Sequence, residues 1–242
     1  MRARYAYRAR TGTGTATGTG MVGTAPAPPR PPDWAVPRLR RRPRIDGMSD
    51  SDAELRSRVV TGAIAAYRAG DFHSVGHVEI ARAADLDVDD VRRAYPIWDL
   101  LVVAVMDRWN NGSRRALWSV AERDGVVAYL RARLQAGLDE PSLVRLRIAL
   151  LSAASTPGHP AEGWFRAQYD HSFEDITLGL SRDVVAGREP EGTSPRHAAE
   201  QLVALYEGLQ LQALLRDDTE VIGGFDRAVA RLRVGWRSSA TV

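Results

Sequence analysis

Residues 58–101 read RVVTGAIAAYRAGDFHSVGHVEIARAADLDVDDVRRAYPIWDLL, and their spacing of small, apolar and turn-forming residues is that of a helix-turn-helix unit. Val78, Ala81 and Ala84 recur at intervals of three, with Ile80 beside them, which predicts a short helix ending near Asp85. Leu86 follows as an apolar residue. Asp87 is placed to cap a second helix by accepting from its first free N–H groups, and Val91 and Tyr95 repeat at four-residue spacing. The two helices are thus joined by a tight turn, and the small side chains of Ala81 and Ala84 suit a steep crossing. Upstream, Glu54 to Ala69 predicts a longer amphipathic helix with Leu55, Val59, Val60, Ala63, Ile64 and Tyr67 on one side, a third helix that covers the pair.

The run IARAADLDVDDVRRAYPIWDLL resembles the amino-terminal domain of the TetR family of bacterial regulators, whose pattern is Ile-Ala, Ala-Gly-Val, a short recognition helix, aromatic-Pro and a Leu-rich fourth helix. The register holds without a gap from Phe72 to Leu101, and YEGLQLQALL is similar to the family's penultimate, dimer-forming helix. The resemblance implies an all-α fold, a three-helix helix-turn-helix head followed by a larger helical ligand-binding and dimerisation domain. It also implies a reading surface at Arg56, Arg58, Ser74, Val88, Asp89, Arg92 and Arg93. Arg56 and Arg58 stand where the family often contacts phosphate. Arg92 and Arg93 have the donors for phosphate or for a bidentate pair with guanine, and Asp89 could accept from a cytosine amino group. Four residues depart from the family pattern: Asp85 replaces a turn Gly, Gly76 a capping Thr or Ser, Arg92 a Tyr, and Trp98 a Lys. Ser74 could serve as cap in place of Gly76 if the helix began earlier.

Charge bears on the same point, because DNA affinity rests largely on cations that neutralise phosphates. The 242-residue chain has 33 basic and 30 acidic residues, every basic one an Arg, but ten Arg and only two acidic residues lie in 1–47. From Met48 onward the chain is therefore acidic. Within the recognition segment Asp85, Asp87, Asp89 and Asp90 outnumber Arg92 and Arg93. Negative charge at a helix start suits its dipole and repels a phosphate backbone. Two readings follow: a regulator with acidic caps on a short helix, or a helix-turn-helix derivative that binds small molecules as a dimer with DNA binding weakened or lost.

Residues 1–47 are of another character. TGTGTATGTG is low in complexity, APAPPRPP and RLRRRPR are rich in Pro and Arg, and nothing there can bury a core. Disorder is expected for 1–47, with the head over 48–98 and the effector-binding and dimerisation domain over 99–242. A start of synthesis at Met48 would give the ordinary polar lead MSDSDAEL. There is no Cys, which excludes disulfides and thiol chemistry, and no transmembrane stretch follows Met48, LLVVAVM being cut short by Asp107. A cytoplasmic protein without membrane attachment is expected.

The remainder predicts helix after helix. A long connecting helix runs from Ile97 to about Arg123, with a possible break at Asn110-Asn111-Gly112. Asp124 can cap Gly125 to Gly137, Pro141 opens a helix to about Ser155, Ala161 to Ala186 and Pro195 to Arg216 are long, and a last helix covers Thr219 to Trp236. In the TetR family the middle helices enclose an apolar pocket, and the resemblance makes Trp118, Leu130, Leu134, Leu150, Trp164, Tyr169 and Phe173 candidate walls for a small apolar or aromatic effector. The apolar stripes Phe165, Tyr169, Phe173, Ile176 and Leu180, and Leu202, Leu205, Leu209 and Leu215, predict a homodimer interface, with Phe165, Ile176, Leu202, Leu205 and Leu209 at its centre. A two-fold dimer would set two recognition helices about one DNA turn apart, on an inverted-repeat operator in double-stranded DNA. No cofactor is implied. As rival chemistry, His73 and His77 are four apart and His171 lies near Glu174 and Asp175, but no third ligand or nucleophile motif accompanies them, so an enzyme is not expected.

Overall fold

Gly62 and Ala84 set the first crossing of the chain: a Cβ on Gly62 would lie 2.5 Å from that of Ala84, so only glycine lets the two helices approach this closely. The computed structural model describes residues 50–70, 72–218 and 220–238, and the expected disorder of 1–47 lies outside them. Among the described residues there are nine α-helices and no strand. They are α1 (Asp50–Ala69), α2 (His77–Ala84), α3 (Val88–Ala94), α4 (Trp98–Asp124), α5 (Val126–Leu138), α6 (Pro141–Ala154), α7 (Glu162–Val185), α8 (Pro195–Leu215) and α9 (Val221–Ser238), with a 3-10 turn at Phe72–Ser74 before α2.

The head closes as its sequence requires, with two differences in detail. Ile80 and Ala81 face inward and Ala84 meets Gly62, whereas Val78, near the start of α2, is 49% exposed. The turn between α2 and α3 keeps its left-handed residue although it is Asp85 (φ 53°, ψ 56°): Leu86 N–H donates to Ala81 O at 3.0 Å and Asp85 N–H to Arg82 O at 3.4 Å, the paired bonds of a Schellman end. Arg58 reaches across from α1 and donates to the carbonyls of Ala84 (3.2 Å) and Asp85 (2.7 Å), fastening the strained turn. At the start of α3 the Asp87 carboxylate makes no capping bond; the main-chain carbonyl of Asp87 accepts from Asp90 and Val91 instead.

Two apolar cores follow in sequence. The first joins Val59, Ile80 and Val91 of the head to Leu101 and Met106 of α4, Leu143 and Leu150 of α6, and Phe165 of α7. Packing therefore continues past residue 98 without a break. The second gathers Leu130 and Leu134 of α5, Leu180 of α7, Leu202 of α8 and Phe225 of α9.

Helix α4 is not interrupted at Asn110-Asn111-Gly112. One glycine costs a helix only about 1 kcal/mol, which packing on both sides outweighs. Nor does Asp124 cap α5, since its carboxylate pairs with Arg123 (2.9 Å). The cap comes from α7. Asp183, 2% exposed, accepts from Val126 N–H at 2.7 Å, Gly125 turns the corner at φ 92°, and glycine at 179 leaves room for Val126. Pro141 and Pro195 each sit in the first turn of their helices, as expected.

Candidate functional site

Helix α3 is seven residues long, and its two faces are sharply different. Val91 and Ala94 are buried, Val88 packs half-buried on the head, and Asp89, Arg92 and Arg93 point outward with side-chain exposures of 89, 62 and 67%. Each Arg has an acidic neighbour one turn back on its own helix. Arg92 Nη1 lies 3.3 Å from Asp89 Oδ1, and Arg93 pairs with Asp90. Around this face Arg56 sits with its guanidinium 5.9 Å from the Tyr95 ring centre, and Arg108 of α4 donates to Ser57 O (2.9 Å) and Thr61 Oγ1 (2.8 Å), locking α4 to α1.

The entry to α2 replaces a side-chain cap by its reciprocal. Gly76, the N-cap residue, donates its N–H to the Glu79 carboxylate at 3.0 Å. Bonds from the Glu79 and Gly76 main-chain N–H groups hold the Glu79 carboxyl below its ordinary value of 4.5. Ser74 belongs to the exposed 3-10 turn and does not cap α2, because the helix begins three residues later. Beside the entry, His77 meets the edge of Trp98 with ring centres 4.9 Å apart, so the indole at the start of α4 is a packing partner.

Deeper in the chain α4, α5, α6, α7 and α8 surround a cavity of about 270 Å³. Of the candidate wall residues, Trp118, Leu130, Trp164 and Tyr169 line it. Leu134, Leu150 and Phe173 do not: Leu134 is fully buried in the second core, Leu150 is buried in the first, and Phe173 packs on the second core. The expected apolar lining is also corrected, since Asn110, Arg133, Arg147, Tyr206 and Glu207 all face the space. Tyr169 donates its hydroxyl to both Glu207 oxygens (2.7 and 2.9 Å), and burial first, then this bond, pushes its pKa up to about 12. Arg147 in turn donates to Gln210 (2.7 Å) and pairs with Glu207 (3.4 Å). Trp109, also on the wall, donates its indole N–H to Glu140, which pairs with Arg68 of α1. One chain of contacts therefore runs from cavity to head.

Comparison with solved structures decides the architecture. A TetR-family transcriptional regulator from Streptomyces coelicolor superposes with a TM-score of 0.56 at 20% identity, covering 76% of this chain and 97% of its own. GusR from Salmonella enterica gives 0.54 at 17% identity, over 77% of this chain and 95% of its own. A protein assigned to the same family from Mesorhizobium loti gives 0.57 at 14%, over 78% and 98%. The chain has the TetR-family fold. No family model matches it, and no curated protein matches its sequence.

Helices α8 and α9 lie farthest along the chain from the three-helix head. Of the residues expected at a homodimer interface, Phe165, Ile176, Leu202 and Leu209 are buried within the single chain and Leu205 is half-buried. Ile176, Leu202 and Leu209 pack with α5 and α9 in the second core, and Phe165 packs in the first. What this chain leaves exposed is a different seam: Ala204, Leu211 and Leu215 of α8, spaced by seven and four, together with Leu178 and Val185 of α7. Gly208 lies on the same α8 stripe with open space beyond it.

His73 is exposed in the 3-10 turn with Phe72 4.8 Å away, and His171 donates from Nδ1 to Ala167 O at 2.6 Å. Among the described residues no three His, Asp or Glu side chains converge as metal ligands, and no helix is long and apolar enough to cross a membrane.

Proposed function

We propose that the chain is a ligand-responsive transcriptional regulator, a cytoplasmic repressor that binds an inverted-repeat operator in double-stranded DNA as a homodimer and catalyses no reaction. One observation carries the reading: a seven-residue helix after a tight turn presents Asp89, Arg92 and Arg93 to solvent on a head of TetR type. In this reading Val88 and Ser74 flank the contact, Arg56 meets phosphate, and Arg58 does so only while also holding the turn. The exposed seam of Ala204, Gly208, Leu211 and Leu215 supports the homodimer, since glycine at its centre permits close approach of a second copy. An effector in the cavity would act on α4, and the contacts from Trp109 through Glu140 to Arg68 give its push a physical route to the head.

A second reading has its own support. Residues 48–98 hold nine acidic against six basic residues, and both α3 arginines are already paired with aspartates. That balance favours a small-molecule-binding dimer that has lost much of its DNA affinity. Fluorescence anisotropy with the DNA flanking the chain's own gene separates the two. Sequence-selective, salt-sensitive binding supports the repressor, and Arg92→Ala or Arg93→Ala then weakens it by about 1–3 kcal/mol without unfolding the chain. Absence of binding at low salt supports the second reading. For the homodimer, sedimentation of Leu211→Arg should show a folded monomer where the native chain sediments as a dimer.

A further inference from the structure

Among the described residues, one cation on the cavity wall pairs with no carboxylate. Five arginines and four carboxylates line it, and three of the pairs are closed: Arg147 with Glu207, Arg114 with Asp175, and Arg188 with Asp183. Glu122 accepts the indole N–H of Trp118 (3.1 Å), and Glu122 and Arg182 are both exposed to solvent. Arg133, by contrast, is set into the wall. Its Nη1 and Nη2 make long 3.4 Å contacts to the Tyr129 hydroxyl and the Asn110 amide oxygen, it also bonds Tyr206 and lies 5.9 Å from the Tyr129 ring centre, and among the described residues its Nε has no partner. The groups that act on its charge are the phenols of Tyr129 and Tyr206, and no carboxylate is among them.

A guanidinium offers five N–H donors in a fixed planar fork and does not lose its proton. Set among phenol and amide oxygens, it still has an unfilled donor at Nε, and an acidic group entering the cavity would add a charge-assisted partner. Beside it the walls are aromatic, with Trp118 edge-on to Tyr129 (6.1 Å) and Trp164 edge-on to Phe165 (4.8 Å). We propose that the cavity takes a small organic anion, its carboxylate, sulfonate or phosphate held by Arg133 and its apolar body set among Trp118, Tyr129 and Phe165. The inference rests on the ligand-pocket reading above and narrows it, replacing a purely apolar effector by an amphiphilic acid. A neutral ligand of the same shape would leave the cation as it is.

A matched pair of fluorescent probes tests this on the full chain: 1-anilinonaphthalene-8-sulfonate, an aromatic anion, and N-phenyl-1-naphthylamine, the same ring system without the sulfonate. Arg133→Gln should weaken the sulfonate by about tenfold to a hundredfold, the range expected for losing a charge-assisted hydrogen bond, and leave the neutral amine unchanged. Arg133→Lys should restore part of the loss, keeping the charge without the fork. If both probes respond alike to Arg133→Gln, or the sulfonate ignores it, the anion site is overturned while binding of the amine keeps the pocket reading alive. If neither probe binds the native chain, both readings fall. Should Arg133→Gln fail to fold by circular dichroism, Arg133→Lys carries the test alone: selective weakening of the sulfonate supports the site, and an equal change in both probes overturns it.

Discussion

The arginines of the head and the arginine of the cavity live in opposite circumstances. Arg92 and Arg93 stand in water, each beside an aspartate of its own helix, whereas Arg133 is half-buried with phenols and an amide around it. Exposed pairs of the first kind are worth little, so the charge balance of the reading face lies within reach of single substitutions. A cation set into a cavity wall with a donor unfilled is another matter, because an entering anion can take up that donor. The head is thus poised by weak, exchangeable interactions and the body by a few strong ones.

The strongest of these is Asp183, and removing it should break the body first. Its carboxylate accepts from Val126 N–H and pairs with Arg188 (2.7 Å each), so Asp183→Ala strands a helix start and a cation together. A loss of about 2–4 kcal/mol in urea unfolding is expected, discounted from a fully buried pair because Arg188 is partly exposed. Asp183→Asn, which keeps an acceptor for Val126, should recover part of it. A loss no larger in the alanine variant than in the asparagine variant would show that the α5 cap contributes nothing.

On the head the corresponding weak point is Gly62. At an open helical position Gly→Ala gains about 1 kcal/mol from propensity. Here the added methyl would sit 2.5 Å from Ala84 Cβ, and backbone atoms of the same residue lie 2.8 Å away, so α2 must move. Gly62→Val should cost about 1–3 kcal/mol and abolish DNA binding while the cavity still takes its probe. If DNA and probe binding fall together, the head and body are not separable in the way their charges suggest.

These two sites also mark where the sequence was legible and where it was silent. Helix starts and stops depend on near neighbours, and Asp85, Pro141 and Pro195 announced theirs correctly. The α5 cap comes from a residue 57 positions away, a pairing that no local pattern encodes. The stripes at Phe165, Ile176, Leu202 and Leu209 were visible, but an apolar stripe does not say whether its own chain or a second copy will cover it. Arg133 was missed for a related reason. In YLRARL it reads as the polar face of an amphipathic helix, and only the convergence of five helices shows that this face looks into a cavity.

A smaller effect sharpens the contrast at the reading face itself. Asp89→Asn and Asp90→Asn remove the partners of Arg92 and Arg93 and two charges that repel phosphate. Each should tighten DNA binding by about 0.5–1 kcal/mol at low salt and steepen the salt dependence, with no change in folding. In the same assay Arg133→Gln should leave DNA affinity untouched when no ligand is present. Unaltered affinity in both aspartate variants would mean that the α3 pairs do not restrain the arginines.

The smallest expected effect is local and depends on pH. Glu79 has a folded pKa below 4.5, because its carboxylate accepts from main-chain N–H groups, its own and that of Gly76. A depressed carboxylate stabilises the fold above the unfolded pKa, and that contribution is lost as pH falls through the folded one. The window therefore opens just below 4.5 and extends downward. Since the contribution comes from one hydrogen-bonded carboxylate at a helix start, the global unfolding midpoint should hardly register it; the Gly76 amide should. Its proton resonance is expected to titrate with a midpoint under 4.5 in the native chain and not to titrate in Glu79→Gln. A midpoint at the ordinary glutamate value would mean that the entry to α2 is held by the main chain alone, and that the head, unlike the body, has no charged group on which its helix starts depend.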